Sequence, residues 1–351
     1  MVKTDIPKEG DLMASSVLHP TRIPLRFRGD GGFRILMVSD IHGGVGYNRE
    51  KTVAALRALL EAEHPDLVVL GGDTAGPGVI HIENASQLRG MLDGLTAPME
   101  EAGIPWCHVF GNHDDNYGLP NGEAEAVYES YPHCLSEAGP EELSGVGNYV
   151  LPVYSADGST LLLNIFALDS HSGMRDWAER WGVDPSLRVL EPDVGDRSDY
   201  DTVNMDQVLW YYETSRAIER EQGRKVPAVL FMHIPPPEMH EASKHRCDVH
   251  LRGIQWEDVA CSSLNSGLFR ACLERGDVKG IFFGHDHLND FDVTYMGIRM
   301  AYDASLSYHA CQINELRGGR VIDFRSSDPA AFTTRTAKIA DIMGHAGDSV
   351  E

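Results

Sequence analysis

The chain has 351 residues, 42% of them hydrophobic, which is ordinary for a soluble globular protein and ample for a large core. Its 53 acidic and 30 basic side chains leave a formal net charge of -23, and a surface that negative excludes general nucleic-acid binding, though not a small anion held by cations in a pocket. No stretch approaches the roughly 18 consecutive apolar residues of a membrane span, and the first 20 residues have no apolar signal core, so the cytoplasm is the expected compartment.

Residues 1–30 are polar, carry Pro7, Pro20 and Pro24, and read as an N-terminal arm. A strand is expected at 33–39 (FRILMVS), then a helix at 50–62 with Val53, Leu56, Leu59 and Leu60 at helical spacing. A strand at 66–70, an amphipathic helix within 84–103 and a strand at 106–110 complete a β-α-β-α-β rhythm, which implies parallel strands with helices on a face. Loop and short helix are expected over 115–145. Strands at 147–154 and 160–168, joined through Asp157-Gly158, predict a hairpin. The stretch 170–205 is long, acidic and irregular. A helix at 205–221, a strand at 227–232, a loop over 235–262, a helix at 264–275 and a strand at 278–283 follow. The segments 291–301 and 309–325 read as closing strands, and 326–351 as a polar tail with a short helix at 330–343. The simplest organisation is an arm (1–30), one α/β domain (31–325) and a tail (326–351).

Five of these hydrophobic runs end in the same kind of residue. They deliver Asp40 and His42, then Asp73, then Asn112, His113 and Asp114, then His233, and finally His285 and His287. Asp, Asn and His are hard or borderline ligands suited to Mn, Zn or Fe, whereas clustered thiolates would point to structural zinc. The six cysteines, Cys107, Cys134, Cys247, Cys261, Cys272 and Cys311, form no CxxC pair and read as reduced thiols. In the D-x-H and H-x-H pairs, strand alternation would place both side chains on one face. Asp73, after Gly71-Gly72, has the two oxygens a bridging ligand needs. The glycines before the ligands would let the backbone turn sharply there. His113 beside Asp114 reads as a general acid whose ring a carboxylate orients. A lone DxH, GGD or His is weak, because an ordinary turn or a core histidine explains each. The ordered set of five is not explained that way.

The order DxH…GGD…GNHD…H…GHDH resembles the calcineurin-like metallophosphoesterases over about 33–310. FMHIPPPE, SGLF, GDVKGIFFGHDHLNDF and GNYVL resemble most closely the branch related to purple acid phosphatases, the type 29 or Dcr2-like forms. The resemblance implies a four-layer α/β/β/α sandwich, two mixed sheets flanked by helices, with metals at the strand C-terminal ends. It implies that Asp40, His42 and His287 bind one metal, that Asn112, His233 and His285 bind a second, and that Asp73 bridges them. His113 would be the catalytic acid with Asp114 as its partner. Purple acid phosphatases place a metal-binding tyrosine three residues after the bridging aspartate. Gly76 stands there in this chain, so the ferric signature is absent and the metal pair is open among Mn, Zn and Fe, with no organic cofactor.

Such a site implies hydrolysis of a phosphate monoester by a metal-bridging hydroxide, with His113 as general acid. The substrate would be a small phosphorylated molecule or a phosphoprotein. A phosphodiesterase acting on cyclic nucleotides or other small diesters uses the same ligands. An inactive protein-binding scaffold would be expected to have lost ligands or the acid, and this chain has kept them. Substrate contacts are expected from the loops 115–145, 170–205 and 235–262, with His171, Trp177 and His309 as candidates. Trp181, Arg175 and Arg180 have the same potential, but packing or solvent exposure explains them as well. His240, His245 and His250 read as surface residues.

Overall fold

A computed structural model describes residues 17–43, 47–75, 82–114, 118–173, 182, 200–244, 250–309 and 313–344. Among these, the strands are β1 (Leu25–Arg26), β2 (Gly32–Val38), β3 (Leu67–Leu70), β4 (Trp106–His108), β5 (Tyr149–Tyr154), β6 (Leu161–Ala167), β7 (Ala228–Phe231), β8 (Val278–Phe283), β9 (Asp292–Tyr295), β10 (Ile298–Tyr302), β11 (Gly318–Arg325) and β12 (Asp328–Lys338). The helices are α1 (Tyr47–Glu63), α2 (Ala85–Ala102), α3 (Asn121–Glu129), α4 (Met205–Gln222), α5 (Pro237–Lys244), α6 (Leu268–Arg275) and α7 (Ile339–Met343).

The strands form two mixed sheets. One runs β12-β11-β2-β3-β4 and the other β1-β5-β6-β7-β8-β10-β9. Period-two alternation along the strands builds the layers. Ile35, Met37, Leu67 and Val69 from the first sheet meet Val229, Phe231 and Phe282 from the second in one buried cluster between the sheets. Their neighbours Leu36, Val38, Val68 and Leu70 face the other way, onto Leu56, Leu59, Leu88 and Leu92 of α1 and α2. Phe166, Leu230 and Phe283 turn outward onto Tyr211, Ile218 and Cys272 of α4 and α6. Three separate cores between four layers are therefore written in the alternation of the buried strands, and the fold is the expected sandwich of two mixed sheets flanked by helices.

Within the first sheet β2, β3 and β4 are mutually parallel, and within the second β6, β7, β8 and β10 are. Parallel neighbours put their C-terminal ends on one side. There the two sheets are stitched together. Ser39 forms a parallel bridge with Ser305, the Ser305 hydroxyl donates to Asp40 O (3.0 Å), and the His233 ring bonds Gly71 O (2.8 Å). The ligand-bearing tips lie along this seam.

Local signals explain several boundaries. Asn84 accepts a bond from Gln87 N at the start of α2, and Gly103 ends that helix in the left-handed conformation. The β5–β6 hairpin closes through Asp157-Gly158 as expected, with Gly158 at φ 77°. Two expectations fail. The segment read as a polar tail is strand over Asp328–Lys338, paired antiparallel to β11, and only Ile339–Met343 is helix. It reads as a tail because an edge strand keeps much of both faces wet, and Thr333, Thr334 and Thr336 were the missed β-branched signal. The stretch 235–262, read as loop, contains α5, on which His240 is buried rather than on the surface. Cys107, Cys134, Cys261 and Cys272 are buried free thiols as read, while Cys247, Cys311 and His245 lie outside the described residues.

Truncation after Arg325 should strip the β11 edge of its partner and take Ala337 and Ile339 out of the cluster they share with Val321, Leu59 and Leu60. We expect a fall in the thermal midpoint of about 5 °C or more, or insolubility, since about 1 kcal/mol moves a chain of this size by a few degrees. An unchanged midpoint would show that β12 does not form.

Candidate metal centre

The tips of β2, β3, β4, β7 and β8 bring Asp40, His42, Asp73, Asn112, His113, His233, His285 and His287 to one seam. Asp40, His42, Asp73 and His287 each offer an atom, and these atoms lie within 4.8 Å of one another, a grouping able to hold a metal ion. His42 Nε2 is 3.0 Å from His287 Nε2 and 3.8 Å from Asp73 Oδ2. His233 adjoins from the second sheet, its Nε2 3.2 Å from Asp73 Oδ2 and 3.9 Å from Asp40 Oδ1. The His285 ring packs edge-on to His233 at 5.2 Å between centroids, and the Asn112 Oδ1 is buried. The rings thus sort into a His42–His287 pair and a His233–His285 pair.

Each carboxylate is tied by one oxygen and presents the other. Asp40 Oδ2 accepts from the Ser39 hydroxyl (2.7 Å) and from His285 N (3.0 Å), while its buried Oδ1 has no hydrogen bond and lies 3.3 Å from His287 Nε2. Asp73 Oδ1 accepts from His113 N (2.8 Å), which leaves Oδ2 facing His233 and His42. The His233 Nδ1 bond to Gly71 O aims Nε2 into the cluster, where, like the buried His285 Nε2, it makes no hydrogen bond. Buried polar atoms normally have partners. Three such atoms converging on one space fit a cation better than any other occupant.

The backbone is shaped for this convergence. Asp40 (φ 51°), His42 (φ 51°), Asp73 (φ 49°) and His285 (φ 78°) all sit in the left-handed region, at about 1 kcal/mol or more each. The D-x-H pair therefore points into the site because the chain has left the strand, not because of strand pleating as expected. Gly72 (φ 97°) does make the sharp turn expected, but Gly111 and Gly284 serve differently. A Cβ on Gly111 would strike the Asp73 carboxylate, and one on Gly284 the Ser39 and Asp40 side chains, so they are small because the ligands pass so close.

The electrostatics follow from burial opposed by neighbours. Burial alone would raise Asp40, but the adjoining His287 ring and the charges of His233 and His42 hold it well below the usual carboxylate range. Burial likewise opposes ionisation of Asp73, and the charge of the adjoining His233 outweighs it. Burial pushes His42 down to about 4 and, helped by the charge of His233, His285 down to about 3. Burial would lower His233 too, but the charge of Asp73 lifts it to about 10.

The sequence matches the calcineurin-like phosphoesterase family over residues 33–289. It is 31% identical over 334 residues to "Probable inactive purple acid phosphatase 14" of Arabidopsis thaliana, covering 86% of this chain and 77% of that protein. The chain belongs to the calcineurin-like phosphoesterase family. The yeast "Phosphatase DCR2" (Saccharomyces cerevisiae) is similar at 26% identity, over 75% of this chain and 45% of its own length. Among solved structures, a dimetal phosphatase from Danio rerio shares the fold, with a TM-score of 0.52 at 13% identity over 87% of this chain and 98% of that one. The calcineurin-like family is built on a dinuclear metal centre, and this chain carries an Asp/His cluster able to hold a metal ion.

Other expected site residues go elsewhere. Both oxygens of the buried Asp114 accept backbone N–H groups, Oδ1 from Ala75 (3.1 Å) and Oδ2 from Gly111 (2.8 Å). The carboxylate clamps the loops after β3 and β4 together, so its expected place at the His113 ring is corrected. Burial and the charge of Asp73 raise it to about 7. His171 is also corrected: its buried Nε2 meets Gln207 Oε1 (2.9 Å) and Asn204 Nδ2 (3.0 Å) at the start of α4. Its neighbour Ser170 is the one that reaches the site, through His233 N (3.3 Å). His309 is half-buried, its N–H on the Ser307 hydroxyl, and is not among the described residues lining the cleft. Trp177, Trp181, Arg175, Arg180 and Gly76 lie outside the described residues. The cleft above the cluster, about 420 Å³, is lined by Asp73, His113, His285 and His287. Tyr200, Glu257, Asp258, Ala260 and Asp286 complete its wall. Sequence reasoning missed these last five, of which only Asp286, inside GHDH, had a signal.

Because Asp73 keeps a proton on His233 up to about pH 10, a cation taking Nε2 must displace that proton. Mn²⁺ loading at pH 7 should release about one proton or more per chain, and affinity should fall as pH falls. Calorimetry in buffers of different ionisation heat reads this directly, and buffer-independent heats would contradict the assignment.

Proposed function

We propose that this chain hydrolyses phosphate monoesters at a dinuclear metal centre. The observation that carries the reading is the gathering of buried ligand-type atoms that make no hydrogen bond, Asp40 Oδ1, His233 Nε2 and His285 Nε2, beneath an open cleft in a chain of this family. Asp40, His42 and His287 would hold one cation, and Asn112, His233 and His285 the other. Asp73 would serve both, since its bond to His113 N engages only Oδ1. Two cations there would supply positive charge for the phosphoryl oxygens and make water a competent nucleophile near neutral pH.

The protein's own groups do the rest. Gly71 O fixes the His233 tautomer, and Ser39 and the His285 amide hold Asp40 in place. His113 is positioned by its backbone bond to Asp73 and faces the cleft beside His42, at 5.4 Å between ring centroids. As the general acid it would give the proton that the departing alkoxide needs. Mn, Zn and Fe all suit the donor set, and Gly76, where purple acid phosphatases carry a tyrosine, removes the requirement for ferric iron. The word "inactive" in the names of the Arabidopsis relatives favours a second reading, a protein-binding scaffold. Against it stands the complete set of seven ligands and His113 in this chain.

A panel of aryl monoester, aryl diester and nucleotide substrates, run on Mn²⁺-, Zn²⁺- and iron-loaded protein, tests the reading. Monoester turnover should dominate. Dominant diester turnover would make the chain a phosphodiesterase, and no turnover with any metal would favour the scaffold. His113→Ala should keep its metal and lose roughly 10²–10⁴ in kcat. Full activity in that variant would remove the acid role.

A further inference from the structure

We infer that the cleft selects phosphate esters whose alcohol carries a cationic group, with Glu257 and Asp258 as the specificity-determining residues. The inference rests on the phosphoesterase reading above and names the substrate class of that same site.

The residues 250–260 lie as a ribbon along the segment that carries His285 and His287. Isolated bridges join Arg252 to Asp292 and Gln255 to Asn289. The Asn289 side-chain oxygen accepts from Trp256 N (2.9 Å) and Glu257 N (3.2 Å). Glu257 Oε1 accepts from Leu288 N (2.7 Å), and the Asp286 carboxylate accepts from Ala260 N (3.2 Å). The ribbon is thus fixed to the ligand segment at both ends of the Glu257–Ala260 stretch. The Glu257 carboxylate is thereby fixed at the cleft, and the exposed Asp258 follows it on the same tethered backbone.

What they face is a ligand site on independent grounds. Asp40 is fully buried, and its Oδ1 has no hydrogen-bond partner and points into the cluster at the cleft floor. The wall above carries Glu257, Asp258 and the half-buried Tyr200, and no Lys or Arg is among the described lining residues. Tyr200 is held edge-on to His285 at 4.4 Å between ring centroids, so an aromatic ring lines the same cleft as the acids. An acid pair with an aromatic ring suits an ammonium or guanidinium group. The phosphoryl group is served by the metal centre, so the acids act on what is attached to it. A cationic alcohol is drawn to them, and an anionic alcohol is repelled, more strongly than in open water because the cleft is partly enclosed.

Matched esters test this on the Mn²⁺-loaded full chain: 3-aminopropyl phosphate, butyl phosphate and 3-carboxypropyl phosphate. We expect kcat/KM to fall in that order, by roughly fivefold per step, the range of one partly exposed charge pair. If the alkyl esters turn over too slowly to measure, their inhibition constants against aryl phosphate turnover should rank the same way. Glu257→Gln and Asp258→Asn, and separately raised salt, should each narrow the cationic-to-anionic ratio. Phosphoserine peptides with Lys or Gln beside the phosphoserine form a further arm. A larger gain there than among the small esters would identify a peptide source for the cation, and a smaller one an amino alcohol. Equal or reversed ranking among the three esters, or ratios unmoved by both variants, would overturn the inference while leaving the phosphoesterase reading intact. No turnover of aryl phosphate with any metal would overturn both.

Discussion

Two carboxylates, Asp40 and Asp73, are buried to within 1% of full exclusion at the line where two β-sheets meet. A buried anion is unfavourable unless it is paired and hydrogen-bonded. Backbone amides and the Ser39 hydroxyl satisfy one oxygen of each, and imidazoles from both sheets surround the other. The left-handed ligand residues, the glycines that have no room for a Cβ and the cross-sheet bond from His233 to Gly71 all arrange partners for those two charges. Without a metal the charge of His233 balances them, and in the proposed centre a pair of cations would take over that task.

This constraint accounts for where precision is needed and where it is not. The floor of the cleft is built from strand ends that are themselves fixed by three packed cores, so each ligand is carried on a rigid element. Clamps behind the ligands matter as much as the ligands. Asp114 ties the loops after β3 and β4 together, and Ser170 holds the chain at His233. The wall of the cleft is built on a different principle. A separate ribbon, stapled to the His285–His287 segment, lines it. The proposed chemistry and the proposed selectivity are therefore assigned to different parts of the chain.

Much of this was legible in the sequence because one physical signal carried it. A buried parallel strand is a continuous apolar run, and a polar ligand at its end has no packing role, so strand and ligand are read together. Asp40, Asp73, Asn112, His233, His285 and His287 were singled out that way, and the structure places them at one seam. Residues whose partners lie far along the chain were not. Asp114 was assigned to its sequence neighbour His113, whereas its oxygens take amides at Ala75 and Gly111. His171 was read toward the pocket, but Gln207 and Asn204, on the start of α4, take its ring nitrogen. β12 was missed because an edge strand that pairs on one side can be polar almost throughout. Glu257 and Asp258 lie in the 235–262 loop from which substrate contacts were expected, but nothing local singled them out, since only tertiary bonds to Leu288 and Asn289 bring that stretch to the cleft.

The most direct test of the account is the metal content of the purified chain, measured after loading with Mn²⁺ and exhaustive removal of loose ions. If Asp40 and Asp73 are the buried anions of a dinuclear centre, wild-type protein should retain two ions per chain, and Asp73→Asn should retain fewer while staying folded. Wild-type protein that retains no ion, or an Asp73→Asn variant with unchanged stoichiometry, would contradict it.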